Sequence, residues 1–257
     1  MSIAAFIPTL WEARLMAHLR KTHVFAARTR NDWFGEIEDV GDTVTIGQVG
    51  RPSISDYADT DDIEPEEVQT AGLKLTVDQA KKFSFFVKDV DLAQAMIDPM
   101  DEVMAETAYG LNDVIDQYIA GFYSQAGVTH GTDAAPIQIN SANVHQFFAV
   151  LGQKLTEANV PEQGRWAIIP PWVHTKLVLA GILHRSDNTD TLENGRVGRA
   201  LGFDFAVSNN VAVVSGSKYK ILAGNDQAIA FAEKSVKIEA FRPEKKFREA
   251  IKGLHIY

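Results

Sequence analysis

Two stretches of alternating apolar and polar residues, 41–50 and 72–79, flank a long polar segment that a compact domain has no place for. In the first, Val44, Ile46 and Val49 alternate with polar residues between glycines, and in the second Leu73, Leu75 and Val77 do the same. A period of two makes each stretch a strand with one apolar face. Residues 51–71 between them are rich in Asp, Glu, Ser, Thr and Pro, and a structureless connection of that length normally argues against the strands that flank it. The strands stand if the segment is the tip of a long two-stranded arm working outside the core. A free hairpin is marginal in water, so such an arm needs a partner surface.

The charge pattern sharpens this reading. Over the whole chain the formal charge is −9, which argues against a protein that coats nucleic acid through a basic surface. Residues 1–30 nevertheless carry Arg14, Arg20, Lys21, Arg28 and Arg30 against Glu12 alone, whereas residues 31–67 contain twelve acids and only Arg51. A basic arm therefore precedes an acidic extension. Two readings stand at this point: both are solvated surface, or both meet complementary surfaces on neighbouring copies of the chain.

The 257 residues are 46% hydrophobic, enough for one large core or two smaller ones, and the absence of Cys removes disulfides and thiolate metal sites. No apolar run reaches the roughly 20 residues of a membrane span, and no basic region precedes the apolar N-terminus. The chain is expected to be soluble and not secreted.

The clearest element opens at Asp98-Pro99, an N-cap followed by proline at the first helical position. From Met100 to Phe122 apolar residues recur at i, i+3 and i+4, which predicts an amphipathic helix reaching about Ser124, or about 39 Å. A short helix is expected near residues 9–21, and strands over 82–87, 166–169, 203–207, 211–214, 219–223 and 227–231. Further helices are expected over 141–159 and 172–182, a polar loop over 184–199, and a closing antiparallel pair from 236–241 and 247–257. Strands and helices mix without a βαβ rhythm, which points to α+β.

The sequence carries no recognised catalytic or ligand-binding motif. The acidic cluster Asp59, Asp61, Asp62, Glu64, Glu66 and Glu67 lacks the calcium-loop pattern, because Ile63 and Glu64 stand where a ligand and Gly are required. It reads as a solvated loop tip, with a loose divalent-cation site as the alternative. The seven histidines are scattered without an HExxH pair, and each reads as a surface or packed residue. There is no GxSxG, no thiol and no phosphate-binding glycine loop. Trp33, Trp166 and Trp172 read as core residues and not as base-stacking platforms.

Taken in order, these features are a basic N-terminal arm, a long acidic hairpin, a long helix, then mixed sheets with a polar loop. This order resembles the major capsid protein family of tailed bacteriophages. The likeness is carried by residues 85–95 leading into the long helix, by residues 197–210, and by residues 238–243 and 252–257 at the end of the chain. The resemblance implies an N-arm (1–30), an E-loop with flanking strands (31–88), a spine helix with part of the P-domain (89–160), an A-domain (161–235) and closing P-domain strands (236–257). It also implies self-assembly into pentamers and hexamers of an icosahedral shell around double-stranded DNA, built in the host cytoplasm and located in the virion capsid. A portal and cement proteins are further partners in such a shell.

The expected contacts between subunits then fall on Arg14, Arg20, Arg28 and Arg30 of the arm, on the six acids of the E-loop tip, and on Arg185, Arg196 and Arg199 of the A-domain loop. Some members begin with a scaffolding segment for which this chain has no room, so a separate scaffolding protein, or none, is expected. Some members crosslink a Lys to an Asn, and Lys81, Lys82 and Lys88 are only generic candidates. No catalytic residue, cofactor or metal is expected. The alternatives are an encapsulin-like bacterial compartment and, more distantly, a metal-dependent hydrolase.

Overall fold

The computed structural model describes residues 23–30, 41–50, 52, 54, 70–88, 99–181, 196–241 and 248–257. The expected helix near residues 9–21, the Asp98 cap, Trp33 and the acidic cluster lie outside these residues, as does most of the expected polar loop.

The predicted arm is present as β1 (Thr43–Val49) and β2 (Thr70–Thr76), an antiparallel ladder in which Val44 faces Leu75 and Ile46 faces Leu73. β3 (Ala80–Lys88) then enters a three-stranded antiparallel sheet in the order β10-β11-β3, with β10 (Lys234–Phe241) and β11 (Arg248–Ile256) forming the closing pair. The predicted long helix is α1 (Pro99–Ala120), extended by a 3₁₀ turn through Gln125. Its 22 residues span about 33 Å.

α1 serves two sheets at once. Met104, Ala108 and Leu111 in its first half pack on Ile238, Ile251, Phe83 and Phe85 of the three-stranded sheet. Ile115, Ile119 and Ala120 in its second half pack on Trp166, Ile168, Ala206 and Leu222 of a four-stranded sheet. That second sheet has the order β5-β6-β4-β9, from β4 (Arg165–Ile169), β5 (Arg196–Ala200), β6 (Phe203–Val207) and β9 (Leu222–Asn225). Its other face is covered by α2 (Val144–Glu157) and α3 (Pro171–Leu179), whose Phe148, Leu155, Val173 and Leu177 meet Ala167, Ile169, Phe203 and Phe205. Successive side chains of β4 therefore alternate between two apolar layers, and all five of its residues are buried. That is why 166–169 reads as an unbroken apolar run.

Phe148 is fully buried, with its ring edge-on to Phe205 at 4.9 Å. Burial of a side chain this size is worth roughly 2–3 kcal/mol. α2 ends on Ala158 and Asn159, with Asn159 at φ 57° and the Val160 N–H returning to the Leu155 carbonyl at 3.0 Å. This pattern ties off a helix C-terminus.

Three expectations need correction. Residues 196–200 are not loop but strand β5, which turns back into β6 through Leu201 and Gly202 at φ 51° and 82°. Two positive φ values in a two-residue connection make the tight hairpin turn that suits strand twist. The arginine- and glycine-rich sequence hid the strand, because it lacks alternation. Residues 227–231 form no strand among the described residues, beyond a single bridge from Ala230 to Arg30. Finally, 211–214 and 219–223 shrink to the two-residue strands β7 (Val213–Val214) and β8 (Lys218–Tyr219) followed by β9. The α+β reading holds, with one parallel pair, β4 beside β6, joined across α3.

Candidate assembly surfaces

The arm is anchored at its root and exposed beyond it. Gly41 donates its N–H to the Val77 carbonyl at 2.9 Å, and Val77 donates to the Asp42 carbonyl at 3.1 Å, closing the ladder at its base. Val44 and Val77 are buried there with Ala232 and Ile256, while Leu75 and Leu254 pack alongside. Two residues further along the same face, Leu73 is 57% exposed. The alternating pattern thus fills the core only at the root and leaves apolar surface uncovered further out. Past the ladder, Ile54 is almost wholly exposed.

The outer face of the three-stranded sheet carries a second uncovered patch. Phe86, Ala250 and Phe241 stand side by side across β3, β11 and β10, and both phenylalanines are about half exposed. Lys252 lies over the Phe241 ring at 5.6 Å and pairs with Glu239 at 2.7 Å. A cleft of about 240 Å³ runs between residues 123–139 and the β7–β9 region, with Trp172, Tyr219 and Phe147 in its wall. There Lys220 pairs with Asp133, and Lys218 donates to the Asp133 carbonyl at 2.7 Å.

Of the expected contact residues, the structure describes four. Arg28 is turned inward, its Nη2 donating to Asp204 Oδ2 at 2.6 Å. Arg30 is held by its main chain, donating to the Ile229 carbonyl at 2.9 Å and accepting from the Phe231 N–H at 3.1 Å. Arg196 lies in β5, and Arg199 is exposed on the same strand opposite Asp204. Arg28 thus reaches Asp204 with its side chain, Arg199 occupies the paired position on the neighbouring strand, and Arg30 follows Arg28 by two residues. Arg14, Arg20, Arg185, Asp59, Asp61, Asp62, Glu64, Glu66 and Glu67 lie outside the described residues.

One cluster was missed by the sequence reading. His23, Asp116, Glu233 and His255 are all less than 10% exposed and meet in the interior. His23 Nδ1 is 3.6 Å from Asp116 Oδ1, and its Nε2 is 3.6 Å from Glu233 Oε2. His255 Nε2 is 3.4 Å from the same Glu233 oxygen. Burial by itself lowers the pKa of His23, but the two carboxylates facing it outweigh burial and hold it up at about 9. Burial likewise opposes ionisation of Glu233, and the two imidazoles overcome it and hold it down at about 2. Four positions scattered from 23 to 255 share no spacing that could announce such a cluster.

Neither the cleft nor the sheet-face patch includes any of the four buried groups, so neither brings a substrate to them. Among the described residues no group of three or more His, Asp or Glu is arranged to hold a metal ion. No described helix is long and apolar enough to cross a membrane.

A model of the family described as phage capsid protein matches residues 70–257. Among solved structures, one from Mycobacterium phage Che8 is 24% identical, with 91% of this chain and 86% of that chain covered at a TM-score of 0.63. The capsid structure of the cyanophage P-SCSP1u is 17% identical, covering 92% and 84% at a TM-score of 0.64. A virus-like particle from Pyrococcus furiosus is 11% identical, covering 97% and 92% at a TM-score of 0.57. At these identities the likeness is one of fold. Nothing among the curated proteins matches the sequence.

Proposed function

Because this chain belongs to the phage capsid protein family, we propose that its uncovered arm and sheet faces are completed by neighbouring copies in an icosahedral shell of pentamers and hexamers. It is a structural protein of the virion capsid that assembles with itself, and it is not an enzyme. The finer reading is that the shell encloses double-stranded DNA and is built in the host cytoplasm. A portal, cement proteins and a separate scaffolding protein are proposed as its accessories.

The observation that carries the proposal is the gradient along the arm. A two-stranded ladder has no second layer of its own, so the apolar side chain of Leu73, beyond Leu75, stays in water unless another surface covers it. Laying the arm over an adjacent subunit buries Leu73 and carries the acidic residues 59–67 to that subunit. The arginines of residues 1–30, Arg28 excepted because Asp204 already neutralises it, are proposed to meet acids of a neighbour. Arg185, Arg196 and Arg199 are assigned to contacts around the capsomer centre.

The encapsulin-like bacterial compartment is not favoured, because the family model that matches is that of phage capsid proteins. A hydrolase is not favoured, since the family is structural.

Deleting residues 51–71 tests the arm. The core, with both its sheets, is expected to fold and unfold as before, while closed shells no longer form under electron microscopy and light scattering. Normal shells without the segment refute the arm's role. Contacts between the basic arm and acidic neighbours are screened beyond about 8 Å at physiological ionic strength, so assembly is expected to weaken as salt is raised.

A further inference from the structure

The buried cluster ties the N-terminal segment to the rest of the subunit. His23 comes from that segment, Asp116 from α1, Glu233 from the stretch just before β10, and His255 from β11. Tyr257 lies beyond His255 with its ring 6.2 Å away. At 3.6 Å neither His23 nitrogen is within hydrogen-bond reach of its carboxylate, so the attraction to the two acids is one of charge and calls for the cationic imidazole. Asp116 also grips the main chain, since its carboxylate accepts the N–H groups of Val24, Phe25 and Ala26 at 3.0, 3.2 and 3.2 Å. One carboxylate thus holds the His23 side chain and the backbone of the next three residues.

We propose that this cluster is a proton-controlled joint, which fixes the N-terminal segment to the body of the subunit while His23 is a cation and lets go of the chain ahead of Ala26 when that proton is lost.

The release has a defined end. Arg28 remains tied to Asp204, and the main chain of Arg30 remains bridged to Ile229 and Phe231. Residues after the 3₁₀ turn at Ala26–Arg28 therefore stay in place while those before it are freed. The sense of the pH dependence follows from the groups. His23 is raised from an ordinary 6.5 to about 9, so the joint is fully made below 6.5 and is lost as pH rises through about 9. Glu233 is depressed from 4.5 to about 2, so it is ionised throughout that window and does not set it. The consequence for assembly, that alkaline pH alters the delivery of residues 1–22 to a neighbour, rests on the shell reading. The joint itself does not.

The test uses the full chain, unassembled. The His23 imidazole is titrated by NMR, and protection of the Val24, Phe25 and Ala26 amides against hydrogen exchange is followed from pH 6 to 9.5. Protection factors remove the intrinsic base catalysis of exchange. His23 is expected to titrate well above 6.5, and protection at the three amides is expected to fall by about tenfold or more across the window, since each unit of pKa shift corresponds to about tenfold. Amides of β4 are expected to be unaffected. In His23→Gln the three amides are expected to be poorly protected at pH 7 and to stay so as pH rises. Titration of His23 at or below 6.5 overturns the joint, as does protection in the wild type that is flat with pH or that falls identically in His23→Gln. The titration needs no variant, so a misfolded His23→Gln does not remove the test. Both readouts precede assembly, so a failure of the shell reading leaves them untouched.

Discussion

Gly253 sits in the middle strand of the three-stranded sheet, opposite Ile238 on one side and Phe83 on the other. A Cβ added there would lie 2.3 Å from Phe83 Cζ, 2.5 Å from Cε1 and 3.0 Å from Cε2. Carbon atoms in contact settle at about 3.5–4.0 Å, so the ring must withdraw by about 1 Å. Its retreat is limited by Met104, Ala108, Leu111 and Ile238, and by the Phe85 ring stacked 6.5 Å away. Two effects of Gly253→Ala oppose each other. Replacing glycine inside a strand ordinarily stabilises by about 0.5–1 kcal/mol through the unfolded state, whereas overpacking a filled site costs about 1–3 kcal/mol. The contact distances decide for overpacking, and the net expectation is a loss of about 1–2 kcal/mol. Guanidinium unfolding of the unassembled protein measures it. Phe83→Ala removes the obstacle, so Gly253→Ala made in that background is expected to be neutral or stabilising, with a coupling of at least about 1 kcal/mol. A neutral Gly253→Ala in the wild type, or equal effects in both backgrounds, refutes the reasoning.

Arg165→Met is expected to cost about 2–3 kcal/mol in the same assay: the buried guanidinium donates to the Val160 and Pro161 carbonyls at 2.6 and 3.0 Å and to Thr156 Oγ1, and methionine leaves these acceptors unpaired. Leu201→Asn is expected to stabilise by about 0.5–1 kcal/mol, because leucine is held at φ 51° in the β5–β6 turn while 42% exposed, and asparagine tolerates that backbone better. On the acid side, Glu233 contributes stability that is complete above pH 4.5 and lost as pH falls through about 2. The wild type is therefore expected to lose stability more steeply across that range than Glu233→Gln, as followed by thermal unfolding at stepped pH.

The elements whose periodicity is local were legible along the chain. The alternation of Val44, Ile46, Leu73 and Leu75 specified an antiparallel arm, and the i, i+3, i+4 spacing from Met104 to Ile119 specified the long helix, because one buried face imposes its period on the chain. The apolar run at 166–169 likewise announced a strand covered on both sides. Residues 196–200 stayed hidden, since their pairing comes from β6 and a turn with two positive φ values and not from a pattern of their own. The pairing of Arg28 with Asp204, and the gathering of His23, Asp116, Glu233 and His255 into one buried unit, follow from the packing of the folded chain. Hydrophobic periodicity records which face of an element leaves water. The meeting of single charged groups from distant stretches is set by how the elements pack, and it leaves no periodic trace along the chain.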